Sequence, residues 1–226
     1  MDIEGCTALV TGANRGLGKA FVEALLEAGA AKVYTGARDP ETVATAGAAP
    51  VKLDVTSHAD VAKAAETCRD VTLLINNAGA MLTTPILARD AEAALRREME
   101  VNVFGPLATS RAFAPVIAAN GGGAIANMLS VVSLFVLPLN ATYCVSKHAA
   151  LAVTDALRHE LKPKGIHVAG IYAGFIDTDM AADIDRPKRP PREIAEAALA
   201  GIRAGEDNIL TDQRSREVWA QVGRGD

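Results

Sequence analysis

The chain has 226 residues, of which 50% are hydrophobic and 4% aromatic, and its formal net charge is −4. That length suits one domain, residues 1–226, with an aliphatic, alanine-rich core. There is no basic excess to favour nucleic acid, and no apolar run nears the ~18 residues of a membrane span. The opening Met1-Asp2-Ile3-Glu4-Gly5 has neither the basic nor the apolar region of a signal peptide. Cys6, Cys68 and Cys144 are odd in number and widely spaced, so reduced thiols in a cytoplasmic protein are expected.

Thr7 to Thr11 is a short apolar run that stops at Gly12 and reads as a buried strand. Helical spacing follows from Gly16 to Leu26, ended by Gly29. Lys32 to Ala37 and Val51 to Leu53 read as the second and third strands, and Ser57 caps a helix to about Cys68. Val71 to Asn76 is a fourth strand. A long helix is predicted over 90–119, bent near Gly105-Pro106. Ala124 to Met128 is strand five, Ala141 to Lys162 a helix, and His167 to Tyr172 strand six. Pro191 suits the first turn of a helix over 192–203. Asn208 to Leu210 reads as a seventh strand and Ser215 to Val222 as a terminal helix. Strands alternating with helices argue for a parallel sheet covered on both faces, with right-handed crossovers.

Two stretches point to chemistry. Tyr143 and Lys147 are four residues apart on a helix and share one face. A neighbouring ammonium favours the phenolate, so the pair is expected to draw the phenol down from ~10 toward neutrality. Alone, Y-x-x-x-K is also the pattern of an ordinary helix surface. Thr11-Gly12-Ala13-Asn14-Arg15-Gly16-Leu17-Gly18 joins the first strand to the first helix. Glycines there let the backbone approach a pyrophosphate, and the helix N-terminus offers it free N–H groups.

With Asn76-Asn77-Ala78-Gly79, Asn102, Ser130 and Ala173-Gly174-x-x-x-Thr178 in the same order, the chain resembles a short-chain dehydrogenase/reductase over essentially its whole length. The resemblance implies a single-domain α/β fold, a Rossmann-like doubly wound parallel sheet of six to seven strands in the order 3-2-1-4-5-6-7. It implies a nicotinamide dinucleotide held by Gly12, Asn14, Arg15, Gly16, Leu17 and Gly18. Asp54 and Val55 would meet the adenine; Asn76, Ala78 and Gly79 the ribose; Gly174, Ile176 and Thr178 the nicotinamide. Two departures stand out: Ala173 replaces the family's usual proline, and the segment after Thr178 and the C-terminal tail are both short.

The end of the second strand selects the dinucleotide. NAD-preferring relatives carry an acid there, which repels a 2′-phosphate. Here Ala37 takes that place, Arg38 follows, and Arg15 lies in the glycine loop. Two guanidinium groups match a phosphate, so NADP(H) is expected, with NAD(H) as the alternative. Asp39 is the competing ribose ligand, two residues beyond the strand end.

The family's mechanism would make Tyr143 the proton donor to a carbonyl oxygen, or acceptor from an alcohol. Lys147 would tune Tyr143 and hold the ribose. Ser130, thirteen residues before Tyr143, would bond the carbonyl, and Asn102 would hold a water linking Lys147 to solvent. Ser133 is the rival serine and reads as a loop residue. His148 points elsewhere on the helix, and His58, His159 and His167 have no metal-ligand spacing. The substrate wall is expected from Met81, Leu82, the uncharged run 131–139 including Val132 and Leu137, Phe175 and Met180. No cation appears there for an acid, so an uncharged, hydrophobic ketone, aldehyde or alcohol is expected; the core is the other reading of much of the run. The short substrate loop, about 179–191, implies an open cleft. Relatives assemble as homodimers or homotetramers through the helices around 95–118 and 143–162. A nucleotide-binding regulator without turnover is the other reading. A cofactor-free relative acting on epoxides or halides disagrees with Gly12, Gly16, Gly18 and Lys147.

Overall fold

The apolar runs pair into one seven-stranded sheet. In the computed structural model, which describes residues 1–222, β1 (Thr7–Thr11) is an inner strand, third from one edge. The last residues assigned to the domain, 223–226, lie outside the described residues. β2 (Lys32–Ala37) and β4 (Leu73–Asn76) flank β1, and β3 (Ala49–Lys52) is the edge beyond β2. On the other side follow β5 (Gly123–Met128), β6 (Ile166–Tyr172) and β7 (Asn208–Leu210). All pairs are parallel and the order is 3-2-1-4-5-6-7.

Both faces of such a sheet must be covered, and alternate residues of each strand divide between them. Ala8 and Val10 of β1 join Leu73, Ile75, Ala126 and Ile171 against α1 (Gly16–Glu27) and α6 (Pro191–Ala204). Leu9, Leu74, Ile125 and Val168 face the other way, against α2 (His58–Thr67), α4 (Gly105–Ala119) and α5 (Ala141–Leu161). α3 (Ala91–Met99) packs on α5, and α7 (Gln213–Val222) places Val218 against Val131, Val132 and Cys144.

Local chemistry sets the boundaries. Ser57 accepts a hydrogen bond from Asp60 N at 3.2 Å and starts α2. β3 begins two residues before the predicted Val51. Pro50 is tolerated there because the strand is an edge, paired only with β2, while Leu53 turns into the core. The long helix predicted over 90–119 is broken earlier than Gly105-Pro106. A π-helical turn, Glu100–Phe104, separates α3 from α4, and Pro106 falls in the first turn of α4, where a missing N–H is harmless.

Candidate active site

The carboxyl ends of β1, β4, β5 and β6 open on one edge of the sheet, and every stretch singled out from the sequence comes to that edge. The turn after β1 is built by exclusion of side chains. Gly12 has φ +64°, and a Cβ on Gly18 would lie 2.1 Å from the Gly12 carbonyl oxygen. The loop after β4 is sewn to this turn. Thr11 Oγ1 accepts from the N–H groups of Asn77 and Ala78, both at 3.0 Å, and Asn77 Nδ2 donates to Thr11 O and Gly12 O. Arg15 at the start of α1 makes no side-chain cap, so the first-turn N–H groups remain available to an anion. A side-chain-free cradle under a helix N-terminus fits a pyrophosphate, and Gly12, Gly16, Leu17 and Gly18 would form it.

Around the cradle, Asn14 bonds Thr42 across the β2 exit at 3.1 Å. Exposed Arg38 is joined by a cation that the sequence reading missed: Lys52, opposite Ala37 in register, donates to Arg38 O at 2.7 Å. Arg15 pairs with Asp179 at 2.9 Å, and both side chains are exposed. Asp54 turns back on Thr56, accepting from its N and Oγ1, while Val55 is buried.

Asn76 departs from its expected place. It is 3% exposed; Nδ2 donates to Ser110 and Asn127, and Oδ1 accepts from Thr109. The side chain is therefore used inside the sheet, and the neighbouring Asn77 does the work at the crevice. Gly79 remains exposed and Ala78 half-buried at the rim.

Tyr143 sits in the first turns of α5, half-buried, with Lys147 one turn on. Lys147 Nζ lies 5.6 Å from the Tyr143 ring centroid and donates to Met128 O, at the end of β5, at 2.8 Å. Burial lowers the Lys147 pKa to about 8. Burial also raises the Tyr143 pKa, and the charge of Glu98 and the Cys144 thiol push the same way. The expected acidification by Lys147 is thus reversed in the chain by itself. The ammonium is costly to bury and is turned toward a carbonyl, so desolvation of the phenol wins.

Asn102, in the π-helical turn, joins three groups through its side chain. Oδ1 accepts from Ala80 N at 2.8 Å, and Nδ2 donates to Ala80 O at 2.8 Å and Ser146 Oγ at 2.9 Å. Ser146 in turn donates to Tyr143 O at 2.7 Å. The side chain clamps the loop after β4 to the turn of α5 bearing Tyr143. One turn earlier, Glu98 is 0% exposed and accepts from Leu82 N at 2.8 Å, with Oε2 unpartnered among the described residues. Ser130 starts a short turn after β5, and its Oγ accepts from Val132 N at 3.3 Å. Ser133 closes that turn, its Oγ accepting from Ser130 N, and is buried.

The apolar wall divides. Val132 is buried, Leu137 and Phe175 are half-buried, and Leu82 and Met180 are exposed at 49% and 47%. Met81 is half-buried, and Met180 Cε comes within 3.9 Å of where a Cβ on Gly79 would lie. The 177–188 loop is closed at its base by Asp177 N to Arg189 O and Arg189 N to Phe175 O, both 2.9 Å. Half-buried Ile176 pairs with Arg189 in that closure, and Thr178 lies against Gly16. Gly174 N donates to buried Asp212 at 2.7 Å, which ties the turn after β6 to the start of α7. Arg214, on α7, places its guanidinium carbon 6.0 Å from the Phe135 ring centroid. Lys52, Ser146, Glu98 and Arg214 carried no motif; only the register of β3, the helical i+4 spacing of Glu98 and Asn102, and the packing of α7 bring them in.

The model of the short chain dehydrogenase family matches residues 6–189, and the chain belongs to that family. An uncharacterised oxidoreductase of Staphylococcus saprophyticus is 31% identical over 90% of this chain and 93% of its own. A short chain dehydrogenase from Burkholderia cenocepacia, solved in complex with NADP, is 44% identical with a TM-score of 0.95, over 99% of this chain and 95% of that one. The 3-ketoacyl-(acyl-carrier-protein) reductase of Brucella melitensis, complexed with NADH, is 28% identical with a TM-score of 0.83, over 92% of this chain and 96% of that one. Among the described residues no helix is long and apolar enough to cross a membrane, and no group of three His, Cys, Asp or Glu is placed to hold a metal.

Proposed function

We propose that this oxidoreductase is an NADP(H)-dependent carbonyl reductase or alcohol dehydrogenase, interconverting a ketone or aldehyde with its alcohol. The observation that carries the reading is the meeting of the glycine cradle with the Tyr143–Lys147 turn, tied through Asn102 and Ser146 to the loop after β4. Gly12, Gly16, Leu17 and Gly18 would hold NADP(H), whose nicotinamide would supply the hydride chemistry. Tyr143, held protonated by its surroundings, donates to the substrate oxygen, and Ser130 orients that oxygen. Lys147, 4% exposed, is ready to turn from Met128 O toward a ribose hydroxyl and stabilise the phenolate left behind. Arg15, Arg38 and Lys52 supply cations for a 2′-phosphate, and the B. cenocepacia relative's complex with NADP agrees. NAD(H) is the alternative, as the B. melitensis complex illustrates. The wall of Val132, Leu137 and Phe175 favours a substrate whose reacting end is hydrophobic.

The whole chain acts as one cofactor-and-substrate unit in the cytoplasm, where its three unpaired, buried cysteines stay reduced. A homodimer or homotetramer is supported by apolar side chains left open on the expected helices, Phe104 at 50% and Val145 at 41% exposed. The test is NADPH consumption with a panel of ketones and aldehydes. Tyr143→Phe is expected to lower kcat by about a thousandfold and leave NADPH affinity within about twofold. Absence of turnover in the wild type with either cofactor would leave the regulator as the better reading.

A further inference from the structure

The sequence shows no cation in the substrate wall, but the fold brings one to it. Phe135 shares its apolar cluster with Val132, Leu137 and Tyr143, and the Arg214 guanidinium sits over the Phe135 ring. The stem of Arg214 packs on the turn after β6: a Cβ on Gly174 would lie 3.2 Å from its Cβ and 3.3 Å from its Cγ. The stem is fixed from below. Asp212, 4% exposed, accepts from Gly174 N through Oδ2 and from Ser215 N through Oδ1 at 2.6 Å, and Ser215 Oγ donates back to Asp212 O. This rivets the start of α7 to the turn after β6.

The guanidinium itself is left with little to do. Its side chain is 54% exposed, and the carboxylate of Glu217 stands at 3.7 Å, an ion pair too long for a hydrogen bond. A neighbouring aromatic face lowers the hydration around one side of the planar fork, while its donors stay open to a ligand. Several cations near this edge are otherwise engaged, among them Lys147 with Met128 O and Lys188 with Ala182 O. Arg15 is paired with Asp179, Arg189 with Glu193, and Lys52 lies at the β3 end with Arg38.

We propose that Arg214 is a specificity residue which receives an anionic group, a carboxylate, on the far end of a carbonyl or alcohol whose reacting end lies among Val132, Phe135 and Leu137. The substrate class is then an amphipathic oxo acid or hydroxy acid, in place of the wholly uncharged carbonyl expected from the 131–139 run. This rests on the oxidoreductase reading for the reaction, but the acid site itself is read by binding.

The experiment compares oxo acids with their methyl esters, aryl and alkyl pairs of graded length, by calorimetric titration into the NADP-saturated protein and by NADPH turnover. Wild type is expected to bind the best-fitting acid about five- to tenfold more tightly than its ester, and less so as salt rises. Arg214→Gln is expected to lose that preference through KM for the acid, with the ester's KM and both kcat values unchanged; Arg214→Lys retains part of it. Circular dichroism and NADP affinity verify that both variants are folded. No acid preference in the wild type, or one that survives Arg214→Gln, overturns the proposal. A preference that is lost with Arg214 while no carbonyl is turned over upholds the acid site and overturns the reductase reading.

Discussion

Lys147 is the residue whose titration should be visible in the stability of the chain without cofactor. Its pKa in the folded state, about 8, lies below the ~10.4 of an unfolded lysine. Between those values the unfolded state binds more protons, so stability rises with pH across that window, by on the order of 3 kcal/mol for a group 4% exposed. Urea unfolding at pH 7 to 10.5 should therefore show wild type gaining on Lys147→Met as pH rises from about 8. A constant difference would mean that the ammonium is not buried at a cost. At Gly18 the steric demand is absolute. A Cβ 2.1 Å from Gly12 O forces the cradle apart, and Gly18→Ala should lower NADPH affinity by at least about tenfold in fluorescence titration while the far-ultraviolet spectrum is kept. Arg38→Asp should move cofactor discrimination toward NADH by about tenfold or more in kcat/KM, through lost attraction and new repulsion of a 2′-phosphate. Unchanged discrimination would remove Arg38 from the phosphate site. Glycines, the Tyr–Lys spacing and the arginine after β2 were legible in the sequence because each is a local requirement. The roles of Asn76 and Asn77 were not, since both types occur side by side and only the pleat decides which side chain enters the sheet.

At the scale of elements, the π-helical turn matters more than the proline that seemed to announce a bend. Glu100–Phe104 widens the helix where Asn102 reaches both Ala80 and Ser146. Asn102→Ala would leave the Ala80 N–H and carbonyl and the Ser146 hydroxyl short of a partner at once, a loss of about 2 kcal/mol or more. Because Ser146 bonds Tyr143 O, kcat should fall along with stability, measured by turnover beside chemical unfolding. Asn102→Asp should not restore the stability, because it sets a buried carboxylate oxygen against Ala80 O in place of the donor. Strand and helix positions followed closely from apolar period and capping residues, as Ser57 and Pro191 illustrate. The π turn, the exit of Leu53 from β3 and the approach of α7 to Gly174 did not, because they depend on contacts between segments distant in sequence.

For the whole molecule, the order 3-2-1-4-5-6-7 gathers the loops of four strands at one edge and leaves Phe104 of the π-helical turn and Val145 of α5 open. Sedimentation should find an assembly of two or four copies. Val145→Lys combined with Phe104→Asp should shift it toward the monomer, because buried charges oppose association far more than the lost apolar area favours it.

The three thiols offer a reporter of how this architecture comes apart. Cys6 lies in the layer against α1 and α6, Cys68 in the layer against α2 and α4, and Cys144 in the small cluster under α7. Each is inaccessible, and burial holds the pKa of Cys6 at about 11 and of Cys68 at about 12. Alkylating reagents should pass the intact fold by and mark each position only when its own layer opens. Pulse labelling at rising urea, followed by peptide mass spectrometry, would rank the three layers by opening free energy without any probe added to the chain.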